Sequence, residues 1–151
     1  MPKIDLDAIP EISTTGYPPP HDRAVRGRSR RPLNQPGGLS DFVANHVTLA
    51  PGSWSSQRHW HEGEDEFLVM VSGEAVLVDD HGRTPLHPGD CAVFPKGDGN
   101  GHCMVNESGE PASFVVMGLP EKTDCHYPDI DLRVDGATQV YTRKDGSTFS
   151  P

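Results

Sequence analysis

Residues 52–73 read GSWSSQRHWHEGEDEFLVMVSG, and this stretch brings two histidines and a glutamate close together in the sequence. His59 and His61 are two residues apart, so on a β-strand both imidazoles point to the same side. Glu66 begins an apolar run, and His102 begins another short extended segment far downstream. Imidazole and carboxylate groups together bind divalent transition metals. The sequence therefore predicts one divalent ion, of Zn, Mn, Fe, Ni, Co or Cu, held by these four side chains.

The acidic residues between His61 and Glu66 have a different expected role. Glu62, Glu64 and Asp65 are interpreted as a solvated loop, although Glu64 replaces Glu66 as a ligand if the strand begins earlier than residue 66. The other histidines are expected to be ordinary surface or core residues. They are His21, His46, His81, His87 and His126.

Length and composition predict one β-rich domain. A chain of 151 residues is long enough for a single core that buries about two thirds of the unfolded surface. The 16 glycines and 15 prolines favour many turns over long helices. We expect an extended N-terminal arm over residues 1–38, a β-barrel over 39–118 and a C-terminal extension over 119–151. For the extension, either an added edge-strand pair or a flap over the barrel mouth is consistent with the sequence.

The central segment predicts seven or eight short strands that form an antiparallel sandwich or barrel. Runs of β-branched and aromatic residues alternate there with Pro-Gly and Asp-His-Gly turn signals. The predicted strands cover residues 42–49, 54–61, 66–72, 74–79, 83–87, 91–94, 102–106 and 112–117. A further tight hairpin is predicted near the end of the chain, with its turn at Asp145 and Gly146.

The strand that begins at Glu66 is apolar on both faces. Alternation places Leu68 and Met70 on the same side as Glu66, and Phe67 and Val69 on the other. If the Glu66 side lines the barrel interior, the Phe67 side needs a cover from a second sheet, the N-terminal arm or an identical subunit. We therefore expect a homodimer.

The net charge and the cysteine content argue against several kinds of partner and site. Thirteen basic and 22 acidic residues give a net charge of −9, which disfavours nucleic acid and anionic membrane surfaces as partners. No apolar run is long enough to cross a bilayer, and we expect a soluble, cytoplasmic protein. Cys91, Cys103 and Cys125 are odd in number and contain no CxxC pair, so we expect reduced thiols packed as small hydrophobes and no cysteine-based zinc site.

A cluster of five arginines stands out in the N-terminal segment of this acidic chain. One interpretation is a solvated arm that pairs with acidic surface groups. The other is an anion clamp at the mouth of the site, for a phosphate or carboxylate substrate. The cluster consists of Arg23, Arg26, Arg28, Arg30 and Arg31.

The motifs of the chain resemble those of the cupin superfamily. The first motif is matched by Gly52, His59-Trp60-His61, Glu66 and Gly73, and the second by Gly89, Pro95-Lys96-Gly97, His102 and Asn106, with slightly longer spacers. The resemblance implies a small antiparallel β-barrel of the jelly-roll type, often dimeric. It also implies one metal held by His59, His61, Glu66 and His102. Among small single-domain cupins, the phrases HWHEGEDEF and GDCAVFPKGDGNGH are similar to sugar-phosphate isomerase-like proteins.

Three functions are consistent with such a site. The leading hypothesis is a metal-dependent enzyme acting on a small oxygenated metabolite, such as a sugar or sugar phosphate, by isomerisation. The alternatives are a metal-dependent dioxygenase and a non-catalytic module that binds a small ligand. No general base is apparent, because Tyr17, Tyr127 and Tyr141 lie outside both motifs and Lys96 sits in a turn. We expect any such base to be a tyrosine or acidic residue contributed by a terminal segment.

Overall fold

The computed structural model describes residues 2–150, so Met1 and Pro151 of the predicted terminal segments lie outside it. The described chain is built of β-strands with two short 3-10 turns, Leu6–Ala8 and Arg23–Val25. The all-β prediction is therefore confirmed. The strands within residues 2–150 are β1 Arg28–Pro32, β2 Val43–Leu49, β3 Trp60–His61, β4 Glu66–Ser72, β5 Ala75–Asp79, β6 Gly82–Leu86, β7 Cys91–Phe94, β8 Cys103–Val105, β9 Ala112–Gly118, β10 Cys125–Tyr127, β11 Leu132–Asp135 and β12 Val140–Thr142.

Three antiparallel sheets organise these strands. The largest has the order β1-β2-β9-β4-β7, and a three-stranded sheet has the order β6-β5-β8. Buried residues of both sheets share one apolar core, which includes Met70 and Phe114 from the first and Ala75 and Met104 from the second. This core is the interior of the predicted barrel. The third sheet, β12-β11-β10-β3, joins the C-terminal extension to the first histidine motif.

Strand β4 shows the predicted two-residue alternation. Leu68 and Met70 are each 2% exposed and face the interior, whereas Phe67 is 42% exposed on the outer side. The turn after β4 requires glycine at Gly73, which has a φ of 69°. A Cβ atom there would lie 2.4 Å from the carbonyl oxygen of Pro111, so any side chain would collide with backbone.

The segment expected as a strand over residues 54–61 is regular only at Trp60–His61. The preceding residues form single bridges, Trp54 with Val105 in β8 and His59 with His102, the residue before β8. Between these bridges the Ser55 hydroxyl, not a backbone carbonyl, accepts the Met104 backbone N–H at 2.8 Å. A side chain thus replaces part of the ladder, and the strand is interrupted there.

The two terminal segments meet in a second apolar core beside the barrel. Tyr17 and Val25 from the N-terminal segment pack with Tyr127 and Leu132 from the C-terminal segment. Strand β1 adds to the edge of the large sheet by pairing with β2. The C-terminal segment forms three strands, β10 to β12, which extend the sheet from β3. The predicted turn at residues 145–146 is present, with the Gly146 N–H bonded to the Arg143 carbonyl at 2.9 Å.

Candidate metal centre

The two histidine motifs are joined directly through their backbones. The His59 N–H donates to the His102 carbonyl at 3.1 Å, and the His102 N–H donates to the His59 carbonyl at 2.9 Å. This antiparallel bridge fixes the two residues opposite each other. Their imidazole centroids are 4.8 Å apart, and the His59 and His61 centroids are 5.0 Å apart. Residues far apart in the sequence are thus held together at one end of the barrel interior.

Glu66 supplies a carboxylate to this group from the start of β4. Its Oε2 lies 2.8 Å from His102 Nε2, and its Oε1 lies 3.5 Å from His61 Nε2. One nitrogen or oxygen from each of His59, Glu66 and His102 falls within 4.8 Å of the others. All four residues predicted as ligands therefore lie together.

Neighbouring groups fix how two of the rings are oriented. His59 Nδ1 lies 2.9 Å from the Gln57 carbonyl oxygen, which can only accept, so Nδ1 carries the proton and Nε2 keeps a free lone pair. The His102 ring stacks on Phe94, with centroids 3.6 Å apart and planes inclined by 6°. Phe94 is itself the cross-strand partner of Glu66, so the same pair of strands positions the carboxylate and the stacked ring.

The charge states at the site follow from burial and close contact. Burial, together with the neighbouring His102, lowers the pKa of His59 to about 3, so its ring is neutral near pH 7. Burial alone would raise the pKa of Glu66, but its hydrogen bond with His102 and its close contact with His61 hold it well below the usual value. Burial alone would lower the pKa of His61, but its contacts with Cys125 and Glu66 raise it to about 11. The neutral His59 imidazole beside the ionised Glu66 carboxylate is a donor pair for a cation, whereas His61 must release its proton before it binds one.

The residues fit a divalent metal ion. Ligands at about 2.0–2.2 Å from a common ion lie no more than about 4.4 Å apart, so small side-chain shifts bring the observed donors into range. Both ring nitrogens of His61 and Nδ1 of His102 are buried and have no hydrogen-bond partner among residues 2–150. Buried polar atoms are normally satisfied, so unpartnered imidazole nitrogens at this point indicate a site built for another ligand.

Glu64, the alternative carboxylate, has a separate role. Strand β4 begins at Glu66, and Glu64 lies before it with its side chain buried at 4% exposure. It accepts hydrogen bonds from the backbone N–H groups of Lys122 and Thr123 and from the Thr123 hydroxyl. Its Oε2 also lies 3.9 Å from His61 Nδ1. Glu64 is therefore not part of a solvated loop: it connects the site to the C-terminal segment.

A second group of donor side chains lies on the surface outside the barrel. His126 Nε2 contacts Glu62 at 2.7 Å, and Asp124 is close to both. Asp124 already forms an ion pair with Arg133 at 2.8 Å and accepts the Gly136 N–H at 2.7 Å. These groups satisfy one another as a surface network.

The arginine cluster divides into two sets because β1 alternates. Arg31 points outward and pairs with Asp7 and Glu11, each at 3.3 Å. Arg28 and Arg30 point inward and line a cavity of about 200 Å³ together with His59, Glu66 and His102. The interpretation as a surface-paired arm therefore describes Arg31, whereas Arg28 and Arg30 face a cavity.

Two further residues near the predicted metal ligands come from the C-terminal segment. Glu121 lines the cavity mouth, where it is exposed. Loss of water around the carboxyl nevertheless raises its pKa; the nearby His61 opposes this shift and the Glu66 charge adds to it. Cys125 is buried beside His59 and His61. All three thiols are free, but Cys91 is exposed, so the prediction that every cysteine is packed inside is wrong for that residue.

Comparison with known proteins agrees with this architecture. A sequence profile of the cupin domain family matches residues 45–118. A crystal structure described as a sugar phosphate isomerase of a cupin superfamily, from Silicibacter pomeroyi, is 45% identical; the match covers 99% of this chain and 97% of that one, with a TM-score of 0.92. The chain therefore belongs to the cupin superfamily.

More distant structures share the fold. The polyketide cyclase RemF from Streptomyces resistomycificus is 20% identical with a TM-score of 0.71, over 86% of this chain and 87% of that one. The cupin domain of an XRE-family transcriptional regulator from Enterobacter cloacae is 26% identical with a TM-score of 0.51, over 63% of this chain and 98% of that one. A comparison with curated protein sequences gave no match. No helix within residues 2–150 has the length and apolar character needed to cross a membrane.

Proposed function

We propose that this cupin is a metal-dependent enzyme that isomerises a small sugar phosphate or a closely related phosphorylated metabolite. The observation that carries this proposal is one cavity shared by the His59, Glu66 and His102 donors and by two inward-facing arginines. The 45% identity to the structure described as a sugar phosphate isomerase supports the same class of substrate.

The arginines Arg28 and Arg30 have the properties of an anion subsite. Each is partly buried, and each donates to a neutral oxygen: Arg28 to the Ser55 carbonyl at 2.8 Å and Arg30 to the Asn45 side chain at 3.1 Å. Within residues 2–150, no carboxylate lies within 4.0 Å of either guanidinium. A partly buried cation without a countercharge is costly, and an incoming phosphate removes that cost through charge-assisted hydrogen bonds.

The metal ligands in this proposal are His59, His61, Glu66 and His102. Metal binding would displace the His61 proton. Three neutral imidazoles and one carboxylate would then leave a divalent ion with net positive charge, and such an ion would polarise the carbonyl or hydroxyl of a bound sugar. The cavity walls around Phe94 and Phe114 restrict water, which strengthens electrostatic contacts with the substrate.

Glu121 is the residue we assign to proton transfer. It lines two cavities that both contain His59 and the inward-facing arginines, one with Glu66 and His102 and the other with His61. Its pKa is shifted upward, toward neutral pH, and a group whose pKa lies near the working pH serves best as both base and acid. In an aldose–ketose conversion its carboxylate takes the proton from the carbon beside the carbonyl. It then returns that proton to the former carbonyl carbon, while the hydroxyl proton passes to the former carbonyl oxygen, so the isomerisation is completed without molecular oxygen.

We also propose that the protein is a homodimer. The outer face of the large sheet presents Met117, Phe67 and Val93 side by side, because these residues are cross-strand partners on β9, β4 and β7. Phe67 and Val93 are 42% and 67% exposed, and Leu119 continues the apolar surface. An identical subunit that covers this face would bury the contiguous apolar patch.

The test begins with metal analysis of the purified protein, followed by anaerobic incubation of each metal-loaded form with aldose and ketose phosphates. We expect interconversion under anaerobic conditions, detected by NMR of the sugar carbons. Consumption of oxygen with substrate would instead favour a dioxygenase, and saturable binding without turnover would favour a binding module. Either result would contradict the proposal.

Two arginine variants test the phosphate subsite. We expect Arg30→Met to raise KM for the phosphorylated sugar by roughly 10- to 100-fold, because a hydrogen bond to a charged group is lost. The exposed Arg23→Met is the control and should leave KM unchanged. Equal effects of the two variants would exclude a specific role for Arg30.

A further inference from the structure

The candidate metal centre contains a thiol that the two histidine motifs do not supply. Cys125 lies on β10, which pairs with β3 so that Cys125 stands opposite His61. The residue is 4% exposed and its thiol is free. Its Sγ and one ring nitrogen from each of His59 and His61 all lie within 4.8 Å of one another.

His61 provides independent evidence that a ligand belongs at this point. Its residue exposure is 5%, and neither ring nitrogen has a hydrogen-bond partner within residues 2–150. His59 therefore belongs to two groups of donors. One group also contains Glu66 and His102, and the other also contains His61 and the Cys125 sulfur. An ion bound by His59 would therefore have the hard Glu66 carboxylate on one side and the soft Cys125 sulfur on the other.

We propose that Cys125 is an additional metal ligand, used by thiophilic ions such as Zn²⁺ and Cd²⁺, whereas Mn²⁺ relies on the carboxylate group. This inference rests on the metal centre of the proposed function. Thiolate ligands select softer ions, and carboxylates suit harder ones. Coordination requires the thiolate, so the Cys125 S–H bond breaks, its proton goes to solvent and the sulfur lone pair binds the ion.

The ligand change has a chemical consequence for the site. With Glu66 as the only anionic ligand, a divalent ion keeps one net positive charge. A Cys125 thiolate cancels that charge and weakens the polarisation of a bound carbonyl. The C-terminal sheet thereby determines which metals support the chemistry, since a thiol-bound ion is a poorer Lewis acid.

X-ray absorption of the Zn²⁺-loaded wild-type protein tests the proposal without any substitution. We expect a sulfur scatterer at about 2.3 Å in addition to nitrogen and oxygen at about 2.0–2.2 Å. A spectrum with nitrogen and oxygen alone would overturn the role of Cys125 and leave the metal centre itself intact. A wild-type protein that takes up neither Zn²⁺ nor Cd²⁺ would overturn the metal centre and this inference with it.

Cysteine variants then locate the sulfur. We expect the Cd²⁺-loaded wild type to show a thiolate-to-metal charge-transfer band in the near ultraviolet. Cys125→Ser should lose this band, and the ratio of its Zn²⁺ affinity to its Mn²⁺ affinity should fall about tenfold or more. Cys103→Ser is the matched buried control and should keep both properties. A band that persists in Cys125→Ser, or that disappears in Cys103→Ser alone, would refute the assignment.

Discussion

Replacement of Glu64 by glutamine tests whether a buried carboxylate holds the C-terminal sheet to the metal centre. One carboxylate oxygen accepts the Lys122 and Thr123 N–H groups at 2.7 and 2.9 Å. The other accepts the Thr123 hydroxyl at 2.6 Å. These bonds lower the pKa of Glu64 despite its burial, so the group is ionised in the folded protein. Glu64→Gln keeps the shape of the side chain and removes its charge.

The expected loss of stability follows from the three hydrogen bonds. A hydrogen bond to a charged group contributes about 1.5–3 kcal/mol, and a neutral one about 0.5–1.5 kcal/mol. Glutamine retains an oxygen for the two N–H groups, and the Thr123 hydroxyl can turn to accept from its amide. Because these donors are only partly buried, we take the lower end of the difference. The lower ends of the two ranges differ by about 1 kcal/mol per bond, so the three bonds together predict a fall of about 3 kcal/mol in the free energy of unfolding and of about 6–12 °C in Tm.

Urea unfolding of the metal-free protein at pH 7 measures this difference without a contribution from bound metal. The folded-state pKa of Glu64 is depressed, so its contribution is fully present above the unfolded value of about 4.3. The gap between wild type and Glu64→Gln should therefore shrink as the pH falls below about 4. The exposed Glu62→Gln serves as the control, with an expected change within about 0.5 kcal/mol. An equally small change for Glu64→Gln at pH 7 would show that the reasoning is wrong.

Three further predictions concern the metal, the chemistry and the assembly. His61→Ala should remove most of the bound metal while the far-ultraviolet circular dichroism stays that of a β-protein; unchanged metal content would count against the site. Glu121→Gln should reduce kcat by about 10²- to 10⁴-fold at unchanged metal content. The remote Glu110→Gln is the control and should keep full activity. Full activity of Glu121→Gln would exclude Glu121 from proton transfer. Phe67→Glu should convert a dimer into a monomer in light scattering, while the exposed Arg83→Glu should stay dimeric; a wild-type monomer would disprove the proposed interface.

Much of the fold could be predicted from local sequence patterns. The period-two alternation in β4 has a local cause, because successive side chains on a strand must face opposite sides. The confirmed barrel and the strands Glu66–Ser72 and Cys91–Phe94 follow from such patterns together with turn residues. The metal-site prediction has a similar origin, since the spacing of His59 and His61 is sufficient to bring two rings together.

The failures also have physical causes. The strand expected over residues 54–61 is interrupted where the Ser55 hydroxyl replaces a ladder acceptor, and composition gives no sign of that choice. Glu64 was expected in solvent because it lies in an acidic run. Its burial depends on the N–H groups of Lys122 and Thr123, which approach only once the C-terminal segment has folded back.

The sequence by itself determined the β architecture, the superfamily motifs and the four residues proposed to bind a metal, because each depends on spacing along the chain. Only the tertiary structure decided which arginines face the cavity and that Cys125 stands beside His61. Those placements depend on the register between strands far apart in sequence. A shift of one residue would turn each of these side chains to the opposite face, and that register is set by packing of the whole chain.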